Sequence, residues 1–374
     1  MNKRKIKICE TIRQGKIGGG ESHVYQLVKA LNKEEFEPVV LSFTDGPLIN
    51  NLKEIGVKTY VVKTEFPFDP QVKKEVKSIF EKEKFDILHA HGTRSLSNTL
   101  SSARSNRIPV LYTVHGWSFH QDQSLPVKKA RIISEKYLTG KTDVTICVSD
   151  ANRDEGISRL GLKKHARVNY AIDTKKFNPD AVYPDLKEEL GISDFPVSVG
   201  FIVRMTKQKD PLTLIRAAEI TARKTKDIVF TVIGDGELKQ QAVELAAKLD
   251  LNETVRFHSF REDIPAVLAN IDIYALPSLW EGLPIGMLEA MAMKKAVVAT
   301  PADGSKEAIK HGVNGLLVPF EDPAALSEAI LRLYEDKDLR VKMGENAYQK
   351  VLNEFSLGKM MHTIEEMYRR HRLN

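Results

Sequence analysis

The feature that most constrains this chain is the alternation of short β-branched runs with helical patterns, which occurs in two consecutive series. The first series has runs at residues 6–9, 39–43, 59–62, 87–89, 110–114 and 144–148. The second has runs at residues 197–203, 228–233, 255–257, 273–276, 297–299 and 316–318. Strands that alternate with helices are typical of parallel sheets built from βαβ units. We therefore predict two doubly wound α/β domains, joined near residues 172–190.

The predicted topology also indicates where a ligand would bind. In doubly wound sheets, ligands lie at the carboxyl ends of the strands. If two such domains face each other, the site is expected in the cleft between them. Residues that follow the strands in both halves are therefore the candidates for function.

The composition is that of an ordinary globular protein. Of the 374 residues, 42% are apolar and 28% are charged, which excludes a disordered chain, a collagen-like fibre and a coiled-coil rod. Cys9 and Cys147 are the only cysteines, so a disulfide framework or a cysteine-based zinc site is excluded. No apolar stretch approaches the roughly 18 residues of a membrane span, and no apolar signal core follows the basic residues 1–7. We expect a cytoplasmic protein, and peripheral contact with the inner face of the plasma membrane is left open.

Positive charge is concentrated in the first half of the chain. Residues 1–174 hold 29 Lys+Arg and 20 Asp+Glu, a difference of +9, whereas residues 175–374 hold 27 and 30, a difference of −3. The first half therefore suits an anionic partner. Its residues 124–138, with four cations, read as a partly amphipathic basic helix that could meet an anionic membrane or a lipid-diphosphate acceptor. A solvated helix face is the alternative.

A glycine-rich turn follows the first predicted strand. Gly18, Gly19 and Gly20 precede a helix, where the close backbone and the free N–H groups of the helix start suit a phosphate. The turn matches neither the Walker loop nor the dinucleotide fingerprint. The alternative is a flexible strand–helix connection.

Histidines follow two neighbouring strands of the first half. His89 and His91 are two residues apart, so both would point to one face of a strand. Such a pair can bind zinc, but no clear carboxylate set completes a site and we expect no metal. His115, with His120 beyond it, is better placed as a polar contact or proton carrier at the cleft. The alternative for each is a hydrogen-bonded structural histidine.

Two cations follow the first strand of the second half. Arg204 ends that strand, and Lys209 follows five residues later. A guanidinium fork and an ammonium group can clamp a diphosphate between them. Asp210 weakens this positive field, and a solvated loop is the alternative. Gly234 opens a tight turn after the next strand.

The segment with the highest concentration of candidate ligand-binding residues is 276–292. Glu281 precedes a helix and Glu289 lies inside it, while Gly282 and Gly286 allow a ligand to approach the backbone. A carboxylate in a segment rich in Leu, Met and Ala needs a partner. Vicinal ribose hydroxyls would suit Glu289, because a carboxylate can accept two hydrogen bonds.

Together these motifs resemble glycosyltransferase family 4, the retaining nucleotide-sugar glycosyltransferases. The resemblance covers nearly the whole chain, including Gly-Gly-Gly-Glu-Ser at 18–22, Leu-His-Ala-His-Gly at 88–92, Thr-Val-His-Gly at 113–116, and Pro-Ser-x-x-Glu-Gly with a second glutamate eight residues on. It implies the GT-B fold, two Rossmann-like domains facing each other across a cleft. Residues 1–175 would bind the acceptor, with a C-terminal helix at about 357–374 packed back on them, and residues 190–355 would bind the donor.

The resemblance also implies roles for individual residues. Arg204 and Lys209 would bind the donor diphosphate, Glu289 the ribose and Glu281 the donor sugar, with His115 beside that sugar. Of these, all but Glu289 would act in catalysis. The other implied donor-site residues are Gly18, Gly19, Gly20, Gly234, Gly282, Leu283, Pro284, Ile285 and Gly286. The candidate acceptor contacts are His91, His120, Lys128 and Lys129.

The chain departs from the family pattern at a few positions. Asp210 stands where a glycine often follows the lysine, and Lys294-Lys295 replace a commoner small or glycine-containing turn. Residues 303–306 replace the usual Gly-Gly-x-Pro. These changes keep the charged catalytic positions but leave the donor sugar open.

The implied reaction moves a sugar from a UDP- or GDP-linked donor to a glycan, lipid-linked or small-molecule acceptor, in polysaccharide or cell-envelope biosynthesis. Cations and helix N-termini would stabilise the leaving diphosphate, so neither a metal nor another cofactor is expected. Nucleic acid is not an expected partner. The alternatives are a nucleotide-sugar epimerase or a sugar phosphorylase on the same fold, and a non-catalytic sugar-binding protein.

Overall fold

The computed structural model describes residues 4–15, 19–119 and 123–372. The chain divides into two compact units, one formed by Met1–Ala171 with Gly358–Asn374 and the other by Ile172–Leu357. Each unit has its own parallel sheet, which confirms the predicted pair of doubly wound α/β domains. Among the described residues, no helix combines the length and the apolar character that a membrane crossing requires.

Seven strands form the sheet of the first unit, as far as that unit is described. They are β1 (Ile6–Ile12), β2 (Phe36–Ser42), β3 (Lys58–Val61), β4 (Ile87–His91), β5 (Val110–Val114), β6 (Val144–Cys147) and β7 (His165–Arg167). Their spatial order is β3-β2-β1-β4-β5-β6-β7, and all neighbours are parallel. The strand order reverses between β1 and β4, which is where such sheets bind ligands.

The described part of the second unit contains a sheet of six strands. They are β8 (Val197–Ile202), β9 (Ile228–Ile233), β10 (Val255–His258), β11 (Ile273–Leu276), β12 (Ala296–Ala299) and β13 (Leu316–Leu317). The spatial order, β10-β9-β8-β11-β12-β13, repeats that of the first sheet. The equivalent reversal lies between β8 and β11, the strands that precede Arg204 and Glu281.

Helices connect the strands of both sheets. In the first unit they are α1 (Gly19–Ala30), α2 (Pro47–Glu54), α3 (Lys73–Glu83), α4 (Thr93–Ser105), α5 (Leu125–Thr139) and α6 (Asp150–Leu160). In the second they are α7 (Pro211–Lys224), α8 (Lys239–Lys248), α9 (Ile264–Ala269), α10 (Ile285–Ala292), α11 (Asp303–Ala308), α12 (Pro323–Glu335) and α13 (Lys337–Glu354). The last helix, α14 (Leu357–His371), belongs mainly to the first unit.

Local sequence signals account for several helix ends. The side chain of Ser149 accepts a hydrogen bond from the Asn152 amide at the start of α6, and Asp322 caps α12 in the same way through the Ala325 amide. Gly161 ends α6 in the left-handed region, with φ of +68°. Residues next to these helix ends therefore determine where the helices begin and end.

The sequence patterns missed β7, α9 and α11. Residues 165–167 read His-Ala-Arg and carry no β-branched side chain, and β7 lies at the edge of the described sheet, paired with β6. The two helices have six residues each, which is too short for a 3.6-residue period to stand out. These elements form because the neighbouring sheet and helices support them.

Candidate functional site

The glycine-rich turn and the histidines come together at the carboxyl end of the first sheet. Gly19 and Gly20 are the first residues of α1, whereas Gly18 lies outside the described residues. A Cβ atom on Gly20 would lie 3.3 Å from the ring of His115. The helix start therefore lies close to His115, as a glycine at this position permits.

A chain of hydrogen bonds runs through the predicted histidines. His91 Nε2 lies 2.9 Å from Glu10 Oε2, and His91 Nδ1 lies 3.2 Å from His115 Nε2. His115 Nδ1 in turn lies 2.5 Å from the Tyr170 hydroxyl. Both ring nitrogens of His115 are thus engaged within the first unit.

The protonation states of Glu10 and His91 determine which group donates in each of these hydrogen bonds. Burial alone would raise the pKa of Glu10, but His89 and His91 hold it well below its usual value, so Glu10 is a carboxylate. Burial and the neighbouring His89 lower the pKa of His91 to about 4, which leaves it neutral near pH 7. His91 therefore donates from Nε2 to Glu10 and accepts at Nδ1 from His115, which leaves His115 Nδ1 to accept from Tyr170.

A second branch joins the same carboxylate to the C-terminal helix. The Tyr368 hydroxyl donates to Glu10 Oε1 at 2.6 Å and lies 2.6 Å from His89 Nδ1. His89 Nε2 lies 2.7 Å from the Thr113 hydroxyl. All of these side chains are buried, so the branch ties α14 to the ends of β1, β4 and β5.

Glu10, His89 and His91 lie close enough together to be considered as metal ligands, since one ligand atom from each falls within 4.8 Å of the others. Their polar atoms are already satisfied by hydrogen bonds to one another and to Tyr368, Thr113 and His115. The potential ligand atoms therefore do not require a metal ion as a partner. The buried cluster fits the structural alternative that the histidine pattern left open.

Sequence reasoning missed four members of this cluster. Glu10 carried a signal, because a carboxylate in a strand whose other residues are mostly apolar needs a buried partner. Tyr170 stands out only as a departure, because it replaces the asparagine that is usual in the family pattern, and Tyr368 carried no signal. His23, on α1, packs its ring 5.4 Å from the ring of His115, and its Nε2 atom is buried without a hydrogen-bond partner in the described residues.

The remaining candidates of the first unit are not part of the cluster. His120 lies outside the described residues. Lys128 and Lys129 lie on α5, with Lys129 exposed and Lys128 partly buried. The structure does not bring these lysines to His91 or His115.

In the second unit, Lys209 and Glu281 form an ion pair. The Glu281 side chain is only 5% exposed, and Gln208 donates to its second carboxylate oxygen at 3.3 Å and to the Trp280 carbonyl at 2.8 Å. Lys209 reaches this position from a 3-10 turn, Lys207–Lys209, that precedes α7. The loops after β8 and β11 are thus joined at the reversal of the strand order.

Arg204 and Glu289 differ from that pair, because neither has a hydrogen-bond or ion-pair partner among the described residues. Arg204 is exposed, and within the described ranges its guanidinium makes no hydrogen bond or ion pair. Glu289 is half-buried on α10, and its carboxylate is likewise unpaired within those ranges. Burial raises the pKa of Glu289 to about 7, against an opposing effect of Lys176.

Close backbone contacts shape the loop that carries Glu281. A Cβ atom on Gly304, at the start of α11, would lie 2.0 Å from the Gly282 carbonyl oxygen. One on Gly286 would lie 2.9 Å from the Tyr274 hydroxyl. Leu283 and Pro284 are buried. At the start of α10, the amides of Ile285 and Gly286 make no hydrogen bond within the described residues, so they remain available to an anion.

Backbone conformation explains the glycine at position 234, and it shows that two of the departures, Asp210 and Lys294, lie where a glycine would be favoured. Gly234 has φ of +131°, and a Cβ atom there would lie 2.0 Å from the Val203 carbonyl oxygen. Asp210 has φ of +49° and caps α7 through the Thr213 amide. Lys294 has φ of +56°. The positions of Asp210 and Lys294 thus have the left-handed geometry that favours glycine.

Two family descriptions match the chain, one in each half. Residues 17–175 match "Glycosyltransferase Family 4", and residues 183–350 match "Glycosyl transferases group 1". The putative glycosyltransferase EpsD of Bacillus subtilis is 30% identical over 313 residues, which cover 80% of this chain and 81% of that protein.

Similarity to other proteins extends over almost the full length. The Escherichia coli protein named UDP-Gal:alpha-D-GlcNAc-diphosphoundecaprenol alpha-1,3-galactosyltransferase is 28% identical over 377 residues, 97% of each chain. The crystal structure of Anabaena HepE with UDP and glucose superposes with a TM-score of 0.86 at 23% identity, covering 98% of this chain and 100% of that one. The predicted GT-B fold is confirmed, and neither an epimerase nor a non-catalytic sugar-binding protein finds support in these matches. The chain belongs to glycosyltransferase family 4 and is a glycosyltransferase.

Proposed function

We propose that this glycosyltransferase moves a sugar from a UDP- or GDP-linked donor, with retention at the anomeric carbon and without a metal or other cofactor. The carbon–oxygen bond to the leaving phosphate would break, and a bond from the acceptor oxygen to the same carbon would form on the same face. The acceptor proton would pass to the leaving phosphate. Retention and the front-face route follow the family resemblance.

The observation that carries this proposal is that Glu289 and Arg204 have no hydrogen-bond or ion-pair partner in the part of the chain that the structure describes. A half-buried carboxylate with a raised pKa is stabilised when it accepts hydrogen bonds from two vicinal hydroxyls. An exposed guanidinium without a carboxylate partner is available to a diphosphate. One carboxylate and one cation, both without partners among the described residues, suit the ribose and the diphosphate of a nucleoside diphosphate.

The remaining donor-site residues take roles consistent with their contacts. Lys209 would stabilise the leaving diphosphate, and its pair Glu281 would contact the donor sugar. The free amides at Ile285 and Gly286 would add hydrogen bonds to the diphosphate. By the family resemblance, Gly18–Gly20 would approach the phosphate and the acceptor, and His115 would lie by the transferred sugar. His91 would orient the His115 ring through their hydrogen bond.

For the acceptor, we propose a sugar carried on a lipid diphosphate. The E. coli relative that matches 97% of this chain is named for a diphosphoundecaprenol-linked acceptor, and the first half of this chain is the basic one. A role in cell-envelope or polysaccharide synthesis follows from such an acceptor. A cytoplasmic location remains a prediction from the sequence.

A donor screen tests the proposal. The purified chain would be titrated calorimetrically with UDP-glucose, UDP-galactose, UDP-N-acetylglucosamine and GDP-mannose, and then assayed for nucleotide release with and without a lipid-diphosphate-linked sugar. We expect one donor to bind and release that increases with acceptor, unchanged by EDTA. Glu289→Gln should weaken donor binding about tenfold, a loss of about 1.4 kcal/mol, whereas Glu262→Gln, an exposed control in the same unit, should not. Donor conversion without acceptor, a product with inverted anomeric configuration, or loss of activity with EDTA would each contradict part of the proposal.

A further inference from the structure

Helix α5 carries an apolar stripe on the side that faces away from the first unit. Pro126, Ala130, Ile133 and Tyr137 are spaced by four, three and four residues, so they share one face of the helix. All four are exposed, Ile133 by 69% and Tyr137 by 55%. The helix packs on the unit through its other side, where Glu135, Leu138 and Thr139 are buried.

The apolar stripe continues onto a neighbouring loop. The Phe68 ring lies 6.5 Å from the Tyr137 ring, and Phe66, two residues before it, is 71% exposed. Leu125 extends the exposed apolar surface at the start of the helix. We call the exposed side chains Phe66, Phe68, Leu125, Ile133 and Tyr137 the α5 apolar face.

Cations surround the α5 apolar face. Residues 124–141 contain five of them, Lys128, Lys129, Arg131, Lys136 and Lys141. The one carboxylate of that segment, Glu135, is buried and accepts hydrogen bonds from Thr93 and Tyr112. None of the five cations forms an ion pair with any residue that the structure describes. Arg131 donates to the Ser118 carbonyl at 2.6 Å, and no carboxylate among the described residues neutralises the charge of the four lysines.

A groove beside the face adds to this positive surface. It has a volume of about 560 Å³, and its lining includes Phe68 and Tyr137, the cations Lys73, Arg104 and Lys141, and one carboxylate, Asp69, which accepts a hydrogen bond from Thr64. These three cations, too, have no ion-pair partner among the described residues. The groove thus combines an aromatic wall with charges that suit phosphate groups.

We propose that the α5 apolar face, with the lysines and arginines around it, docks the first unit onto an anionic lipid surface. Apolar and aromatic side chains flanked by cations match the acyl and headgroup layers of such a surface. A second copy of the chain is a poorer occupant, because the same face would bring like charges together. The inference goes beyond the transfer reaction and holds whatever the donor or acceptor.

The test uses vesicles and the full chain, with no nucleotide sugar and no acceptor, so its result is independent of the proposed reaction. Flotation with phosphatidylcholine vesicles and with vesicles that also contain phosphatidylglycerol would be compared at low salt. We expect binding to the anionic vesicles that is about tenfold stronger than to the neutral ones and that weakens as salt is added.

Two pairs of matched variants separate the apolar from the charged contribution. Ile133→Ser and Lys129→Glu with Lys136→Glu should each reduce binding to anionic vesicles about tenfold. Val341→Ser and the double reversal Lys226→Glu with Lys248→Glu, at exposed positions of the second unit, should leave it unchanged. In Tyr137→Trp, lipids brominated on the acyl chains should quench the added fluorescence.

Three results would overturn the proposal. The first is no flotation of the unmodified chain with anionic vesicles at low salt. The second is flotation that Ile133→Ser and the lysine reversals leave unchanged. The third is a dimer in solution that Ile133→Ser dissociates, which would make the face an interface between copies of this chain.

Discussion

Lys209 and Glu281, 72 positions apart in the chain, form an ion pair where the strand order of the second sheet reverses. The carboxylate is almost fully buried, and the lysine side chain is 21% exposed. Glu281 therefore depends on Lys209 for its countercharge, with Gln208 as its other side-chain hydrogen-bond donor among the described residues.

Lys209→Ala should destabilise the fold as well as impair donor binding. Leaving a buried carboxylate without its cation costs about 1–3 kcal/mol of unfolding free energy. Adding Glu281→Gln should recover much of that loss, because a neutral amide needs no countercharge, but should not restore donor affinity. Urea unfolding and titration with UDP would measure the two effects separately.

The control for this cycle is Lys239→Ala. Lys239 pairs with Asp235, whose side chain is 55% exposed, so the loss should be within about 1 kcal/mol. If the double variant at Lys209 and Glu281 unfolded as easily as Lys209→Ala alone, the pair would not be the source of the stability.

Donor affinity should depend on the ionisation of Glu289. Its pKa is raised to about 7 from an ordinary value of 4.5, so the folded protein holds a proton that the unfolded chain releases between these pH values. The unliganded fold should accordingly lose stability as pH rises from 4.5 through 7. Donor affinity should change in the opposite direction, weakening about tenfold between pH 8 and pH 6, because only the carboxylate accepts both ribose hydroxyls.

Calorimetry with the nucleotide sugar across this pH range would measure the effect. The diphosphate of a nucleotide sugar carries a constant charge there, so the protein is the source of any change. Glu289→Gln should flatten both dependences. An unchanged pH profile in that variant would show that another group titrates.

Gly304→Ala should displace the loop that carries Glu281. The new Cβ atom would lie 2.0 Å from the Gly282 carbonyl oxygen, a backbone atom that cannot rotate away. We expect a loss of about 1–3 kcal/mol in unfolding free energy and a clear loss of donor affinity. Gly358→Ala is the matched control, since a Cβ atom there meets nothing within 4 Å. Wild-type donor binding by Gly304→Ala would mean that the loop does not contribute to the site.

Tyr368→Phe should destabilise the first unit by about 1–3 kcal/mol, because it removes a buried hydroxyl that donates to the Glu10 carboxylate. Thermal unfolding would be followed beside Tyr25→Phe, whose hydroxyl makes no hydrogen bond within the described residues. Equal effects of the two substitutions would show that the contact between α14 and Glu10 adds nothing to stability.

Much of the fold could be read from local patterns. The β-branched runs predicted the strands from β1 to β6 and from β8 to β13. Such predictions are possible because the spacing of apolar residues along a short segment differs between strands and helices. The pair of carboxylates at Glu281 and Glu289 was likewise visible, with its glycines, from spacing along one segment. The short edge strand β7 was not, because neighbours in space support it.

The sequence by itself determined the two α/β halves, the family and the candidate residues at the strand ends. Only the tertiary structure decided which of them have protein partners. Lys209 forms an ion pair with Glu281, whereas Arg204 and Glu289 have no such partner in the described residues. It also joined Glu10 to Tyr368, 358 positions away, and left one face of α5 apolar and exposed. The physical reason is that charge pairing and burial depend on which strand and helix ends the sheet order brings together, and that order is not carried by any local stretch of residues.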